Sequence, residues 1–575
     1  MDTQRGPVKF RPFRLSSSYA LVATLLIVGG APPASTGLTG CALPAARPPA
    51  PSTSDAPVPA AAIAPLGSAL NLPMPTADSG ARPVASAAPS AAPAAALAPS
   101  AEASARPALE PPARPSHVWR GGESQRALSE LAHWSKKNRG ELGAELADVE
   151  SGVVLASVSA NVPENPASNQ KVVTAAAVLR YLGPDFRFKT SLLGKPSGDS
   201  VFALVLRGTG DPSLSSEDLR ALAQALARSG VKQVGDILLD QSFFDAQFVP
   251  PAFEQQPQEW AAFRAPVSAL SLNRNVTTLN VAPTEIGRPA RVWFEPEGFV
   301  DVTGSVRTEK IQRASDVKLT LKESGTRLSA LVAGSIQPQS APFHWSRRVE
   351  DPRLLAGYGL RSALLAEGVQ VSGKIAQGGE AEQSELAVHE SRPLSELLPE
   401  LGKDSDNFYA ETLLKDLGAK IKGLPGTSAN GALVVLDYLR EIDALEPGTR
   451  ISNGSGLFDA NRLSARTLVR TLRSVYQDPK LNRVFVAQLA VGGVDGTLKH
   501  RFAAFRKSRS IHAKTGTLDS VIALSGYVFR PDGSSPVAFS LIVSGMVGKH
   551  AEVRQRIDDV VASVARTLAR DDDAG

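Results

Sequence analysis

The stretch from Ser168 to Leu182, SNQKVVTAAAVLRYL, constrains this chain more than any other, because apolar residues surround most of the helix it must form. Val172, Val173, Ala175, Ala176, Ala177, Val178, Leu179 and Leu182 leave little polar face for water. Pro163 and Pro166 punctuate the approach, and the run itself contains neither Gly nor Pro. Such a helix belongs inside a core, so its polar start must open into a cleft. Ser168 and Lys171 occupy that start, three residues apart on one face. A neutral Lys171 amine there can accept the Ser168 proton. The helix N-terminus, partial desolvation and a second cation nearby all disfavour the charged amine and lower its pKa toward the operating pH. Taken alone, the pair also reads as an N-terminal serine beside a surface lysine.

Two later motifs complete a serine acyl-transfer set. Ser405-Asp406-Asn407 falls in a break between a short helix over 394–401 and a longer one over 408–421, where Ser405 and Asn407 can point into a cleft. The same three residues are also favoured helix caps. Lys514-Thr515-Gly516-Thr517 lies within Ser510 to Phe529, which with Val537 to Met546 predicts an antiparallel hairpin through Arg530-Pro531-Asp532-Gly533. Gly516 lets another backbone come close, and an extended peptide can add to this strand with its carboxylate on Lys514, Thr515 and Thr517. Short patterns recur by chance: S-x-x-K appears again at Ser229/Lys232 and Ser315/Lys318, and S-x-N at Ser271/Asn273 and Ser428/Asn430. Lys-Thr-Gly occurs once. The order and setting of the three motifs carry the argument.

Composition excludes other chemistries. The formal net charge of +5 is small for 575 residues and marks no nucleic-acid stripe. Cys41 is the single cysteine, and the seven histidines are scattered, so no cofactor or metal is expected. Arg5, Lys9, Arg11 and Arg14 precede an apolar run from Tyr19 to Ala31, too short to span a bilayer comfortably and typical of an export signal. Leu38-Thr39-Gly40-Cys41 resembles a lipobox, although Pro32 and Pro33 lie between it and the apolar run. Lipidation of Cys41, plain cleavage and a retained anchor all remain open. From 42 to 117 the chain is nearly all Ala, Pro and Ser, a composition too poor in apolar bulk to offset its ordering entropy, which predicts a disordered linker.

The chain resembles the low-molecular-mass penicillin-binding proteins of class C, the D-alanyl-D-alanine carboxypeptidase/endopeptidase type of serine peptidase family S13. Beyond the three motifs, the likeness rests on four stretches. They are Gly208-Thr209-Gly210-Asp211-Pro212-Ser213-Leu214, Ala265-Pro266-Val267-Ser268-Ala269-Leu270, Asn453-Gly454-Ser455-Gly456-Leu457 and Gly493-Val494-Asp495-Gly496-Thr497-Leu498. It implies an α/β transpeptidase-like domain, an antiparallel sheet flanked by helices, split by two inserted smaller domains. On this chain that gives 1–41 as export segment, 42–117 as linker, and 118–190 with 389–570 as catalytic domain. A β-rich second domain would take 191–215 and 300–388, and a third 216–299.

The resemblance also implies roles. Ser168 is the nucleophile and Lys171 its base, Ser405 relays a proton to the departing amine, Asn407 binds the substrate amide, and Lys514 holds Ser405 and the substrate carboxylate. Thr515, Gly516 and Thr517 bind substrate, and the N–H groups of Ser168 and Thr517 form the oxyanion hole. The implied partners are peptidoglycan stem peptides ending in D-Ala-D-Ala and β-lactams. The implied location is the periplasm or cell envelope, with the membrane touched only through the N-terminal anchor. Many members follow the Gly454-to-Leu457 match with Ser-Arg, whose arginine helps read the third stem residue; here Phe458-Asp459 stand instead. Phe263 is the candidate aromatic residue of that pocket, with Gln258 or Glu259 as its acidic position. A β-lactamase shares the motifs but needs a second base and a far shorter interval than 168 to 405. An inactive wall-binding anchor of the same fold is the other alternative. A G-x-S-x-G esterase is disfavoured, because Asn453 stands where the first glycine belongs.

Overall fold

The computed structural model describes residues 121–256, 259–310, 315–379 and 384–573. The export segment, Cys41, the linker and Gln258 lie outside the described residues. Among those described, no helix is long and apolar enough to cross a membrane.

A six-stranded antiparallel sheet anchors the catalytic part. Its strands run in the order Ala490–Val491, Ile511–Leu518, Val521–Val528, Val537–Ser544, Glu141–Asp148 and Val154–Val158. Side chains alternate across a strand, so Ile522, Leu524 and Val528 face one core while Val521, Ala523 and Tyr527 face another. Helices Gly122–Lys137 and His550–Asp573 cover the first face, through Leu128, Leu131, Val553, Ile557, Val561 and Val564. The second face packs on Gln170–Leu182, Asn407–Leu417 and Ala465–Gln477. Every residue from Gln170 to Leu179 is buried, as the wrap-around apolar pattern requires. Burying a side chain such as Leu179 contributes on the order of 2 kcal/mol, which sets this helix as a fixed post for the residues at its start.

The 510–529 stretch is not one arm of a hairpin. It folds back on itself at Asp519-Ser520, with Leu518 opposite Val521, so Ile511–Leu518 and Val521–Val528 are separate antiparallel strands. The predicted turn at Arg530–Gly533 then joins Val521–Val528 to Val537–Ser544. Nothing but a short polar step interrupts the β-forming run at 519–520, which hides the reversal from pattern reading.

The insertion also divides differently from 191–215 with 300–388 and 216–299. Strand Ser200–Gly208 pairs in parallel with Gln233–Asp240, and helix Ser216–Arg228 is the crossover between them, as parallel neighbours require. Lys189–Gly194, Pro196–Ser197, Gln370–Val371, Ile375–Gln377 and Ser384–Glu390 complete that sheet, so 216–240 belongs with it. Strands 300–336 leave it. They form a sheet of their own, bridged at Pro289 and Arg307 to the three-stranded sheet of Val276–Ala282, Arg291–Glu295 and Phe343–Arg348.

Candidate active site

Ser168 follows a strained turn. Ala167 has φ 47°, a conformation non-glycine residues rarely adopt, and its N–H donates to Asn165 Oδ1 at 2.9 Å. Two motif glycines press against this turn. A Cβ on Gly456 would lie 1.8 Å from the Ala167 carbonyl oxygen, and one on Gly516 would lie 3.0 Å from the Pro166 carbonyl. Asn169, fully buried, pins the turn to the sheet: its amide nitrogen faces the Lys514 carbonyl at 2.9 Å and its oxygen accepts from Ser525 Oγ at 2.6 Å.

Lys171 follows within the first helical turn and is equally buried. Its Nζ lies 3.0 Å from Ser168 Oγ, 2.7 Å from Asn407 Oδ1 and 3.0 Å from the Ser455 carbonyl. A neutral amine has two N–H donors and one lone pair. Asn407 and Ser455 accept the two donors, which leaves the lone pair for the Ser168 hydroxyl. Burial lowers the Lys171 pKa to about 7, against the Glu411 and Asp406 carboxylates that push it up. Desolvation therefore dominates, and nearby acids, not a second cation, are the main electrostatic influence on this lysine.

Ser405 also adopts a left-handed conformation, φ 59°, between helices Leu394–Gly402 and Asn407–Leu417. Asp406 caps the second helix by accepting from Tyr409 N at 3.1 Å. The capping reading of this motif thus falls to Asp406. Lys514 Nζ donates to Ser405 Oγ at 2.7 Å and to the Thr515 carbonyl at 2.8 Å. Burial, reinforced by Lys171, holds Lys514 well below the ordinary lysine range. The three motifs meet in one cleft. The other S-x-x-K pairs do not: Ser229 Oγ bonds its own helix at Leu226, Lys232 is exposed beside Asp199, and Lys318 is exposed beside Asp316.

Arg274 escaped sequence reading. It is the middle of three successive left-handed residues, Asn273 (φ 48°), Arg274 (59°) and Asn275 (53°), and it carries no motif of its own. Asn273 bonds Ser216 at the start of helix Ser216–Arg228, and Asn275 bonds Pro266 O and Ser271 Oγ. Arg274 itself crosses to Asp406 at 2.7 Å and Glu400 at 2.9 Å.

Residues 125–567 match the D-Ala-D-Ala carboxypeptidase 3 (S13) family. The chain belongs to that family. Membership makes this S13 chain a serine hydrolase of the D-Ala-D-Ala carboxypeptidase class. It is 34% identical over 426 residues to the D-alanyl-D-alanine carboxypeptidase of Actinomadura sp. strain R39, covering 71% of this chain and 78% of that one. It is 27% identical over 395 residues to D-alanyl-D-alanine carboxypeptidase DacB of Haemophilus influenzae, covering 66% and 80%. The crystal structure of penicillin binding protein 4 (dacB) from Haemophilus influenzae superimposes with TM-score 0.63 at 24% identity, over 76% of this chain and 99% of that one, which shows a common fold.

Along the S13 cleft, the described residues pair with the outer edge of the Lys514 strand at its start: Ala490–Val491 lies beside Ala513 and His512, and Ile511 O accepts from Gly492 N at 2.9 Å. Beyond them, Thr515 Oγ1 bonds Thr497 Oγ1 at 2.9 Å and Thr517 is exposed. A cavity of about 730 Å³ adjoins this edge, lined by Thr517, Phe263, Phe458, Asp459 and Arg462 among others. Phe458 packs edge-on against Phe253, and Asp459 pairs with Arg462, so the two residues that replace Ser-Arg build the cavity wall. The Phe263 carbonyl accepts from Asn407 Nδ2 at 3.1 Å. The Glu259 carboxylate accepts from Ala261 N at 2.9 Å.

Proposed function

We propose that this enzyme removes the terminal D-alanine from peptidoglycan stem peptides through an acyl-enzyme on Ser168. The observation that carries the reading is the Lys171 lone pair, left free at 3.0 Å from Ser168 Oγ once its two N–H groups are taken. As Oγ attacks the carbonyl carbon between the two D-alanines, Lys171 accepts the hydroxyl proton. The oxyanion lies against the N–H groups of Ser168 and Thr517; losing one such donor costs about 3 to 4 kcal/mol of barrier. Ser405, bonded to Lys514, relays the proton taken by Lys171 to the departing amine as the C–N bond breaks, leaving Lys171 neutral and Ser405 a hydroxyl. Water then attacks the ester and gives its proton to Lys171, which hands it to Oγ as the ester C–O bond breaks.

Substrate lies along the free edge from Lys514 to Thr517, with Gly516 allowing close approach and Asn407 holding an amide. Its carboxylate meets Lys514, Thr515 and Thr517. Arrival of that negative charge favours the protonated form of Lys514, which burial disfavours. With a β-lactam, the amine produced by ring opening stays tethered, blocks water and leaves Ser168 acylated. The cavity beside Thr517 takes the side chain of the third stem residue, with Phe263 and Phe458 as apolar walls. A cross-link presents the same acyl group, so endopeptidase action uses the same residues. Export through the segment before Ala31, with Cys41 as a lipid-anchor site, places the enzyme in the cell envelope.

The test is mass spectrometry of the penicillin adduct together with D-alanine release from a pentapeptide stem. Both are expected in the wild type and lost in Ser168→Ala. Labelling that survives in the variant would overturn the assignment.

A further inference from the structure

We infer that Glu411 is a positioning residue for the proton-abstracting lysine: it holds the Gly454-Ser455 segment so that the Ser455 carbonyl takes one Lys171 N–H and aims the lone pair at Ser168. This deepens the proposed mechanism and rests on Lys171 being the base. Glu411 stands one helical turn after Asn407, so both side chains look toward the Ser168 helix. It is 1% exposed. Its Oε2 accepts from Gly454 N at 3.0 Å and its Oε1 from Ser455 N at 2.8 Å.

The opposite edge of the same segment faces the Ser168 helix. Gly454 O accepts from Thr174 Oγ1 at 2.8 Å, and Ser455 O accepts from Lys171 at 3.0 Å. The segment is thus a wedge between two helices, with donors toward Glu411 and acceptors toward Lys171. Its depth leaves no room for a side chain: a Cβ on Gly454 would lie 2.3 Å from the Ala410 carbonyl oxygen. Asn407 and Glu411, on one helix, therefore place both acceptors that orient the amine.

A buried carboxylate is retained only where it is well bonded, and an apolar residue would fill this site at less desolvation cost. Its charge also acts at a distance. Glu411 and Asp406 favour protonated Lys171, and Lys171 in turn disfavours protonated Lys514. Glu411 itself faces Lys171 and Lys415, the latter paired with Asp245 at 2.6 Å.

The experiment measures the second-order rate of Ser168 acylation by penicillin in the full-length protein, between about pH 5 and pH 10, for wild type, Glu411→Gln and Glu411→Asp. Glu411→Gln removes the charge and opposes an amide nitrogen to a peptide N–H. The ascending limb is expected to move to lower pH, because the base is freed of a neighbouring anion, while the plateau falls about ten-fold or more. Glu411→Asp keeps the charge and shortens the reach, so the plateau falls with the limb near its wild-type position. A Gln limb that does not move, or a Gln plateau within about two-fold of wild type, overturns the inference. If Glu411→Gln does not fold, a wild-type plateau in Glu411→Asp overturns it. Failure of the wild type to acylate at Ser168 would sink the underlying mechanism instead.

Discussion

Arg274, carried by the insertion, reaches 2.7 Å to Asp406 at the centre of the Ser405-Asp406-Asn407 turn. That ion pair joins residues 132 positions apart in the chain. Asp406 also accepts the Tyr409 N–H, so its position sets where the Asn407 helix begins and where Ser405 and Asn407 point. The left-handed run Asn273 to Asn275 is backbone strain of the kind that persists where surrounding bonds over-determine it.

Arg274→Ala should therefore slow acylation with little effect on global stability. The guanidinium is partly exposed, which limits its contribution to folding. A small displacement of Ser405 and Asn407 is enough for a loss of about ten-fold or more in acylation rate. Stopped-flow penicillin binding beside a thermal melt checks both halves. A large fall in Tm with an unchanged rate would contradict the assignment.

Acylation should rise with pH through about 7, where Lys171 loses its proton. Burial depresses this pKa, so the competent neutral form dominates above it and is lost below it. Lys171→Arg, whose guanidinium stays protonated, should reduce acylation at least about a thousand-fold at every pH. Lys171→Ala should do the same while the fold persists. A rate flat across neutrality in the wild type would count against a lysine base.

The same shift links to stability. Lys171 titrates at about 7 when folded and near the ordinary lysine value of 10.5 when unfolded, so the unfolded chain binds the extra proton between those values. The contribution is complete above the unfolded value and lost as pH falls toward about 7. Urea titrations at the two ends of this window should show stability rising with pH. The rise should be smaller in Lys171→Ala.

Gly456→Ala should destabilise the protein and abolish labelling. The residue has φ 75°, and the new Cβ would lie 1.8 Å from the Ala167 carbonyl oxygen, a backbone atom with nowhere to go. Strain of this type costs about 1–3 kcal/mol before the clash is relieved, and relief moves the turn that carries Ser168. A urea midpoint and a labelling gel measure the two effects.

Asn169→Ala should cost about 1–3 kcal/mol by stranding a buried polar partner at Ser525 and the Lys514 carbonyl. It should also slow acylation, because it unpins the Ser168 turn from the Lys514 strand. Asn169→Asp, able to accept from Ser525 but not to donate to the Lys514 carbonyl, should recover only part of the loss.

Local periodicity made several elements legible. The apolar circumference of 168–182 required a buried helix, and the β-forming runs over 510–529 and 537–546 required strands. The break before Asn407 was visible because Ser, Asp and Asn favour such positions. Glycines 456 and 516 were visible as motif members, although their close approach to Pro166 and Ala167 was not. Arg274 and Glu411 left no comparable trace, since one arginine in a turn and one glutamate in a helix are ordinary until their partners are known. The turn at Asp519-Ser520 and the parallel pairing of 200–208 with 233–240 were missed for a related reason. Both depend on which strands become neighbours, not on the pattern within either.

The order of the motifs, the identity of the nucleophile's helix and the family itself were written in the chain, because each rests on residue types at short spacing. The protonation preferences of Lys171 and Lys514 and the bracing of Asp406 by Arg274 were decided only by tertiary structure. Desolvation and hydrogen-bond geometry are set by atoms brought together from distant positions, as when Lys171 meets Asn407 across 236 residues at 2.7 Å.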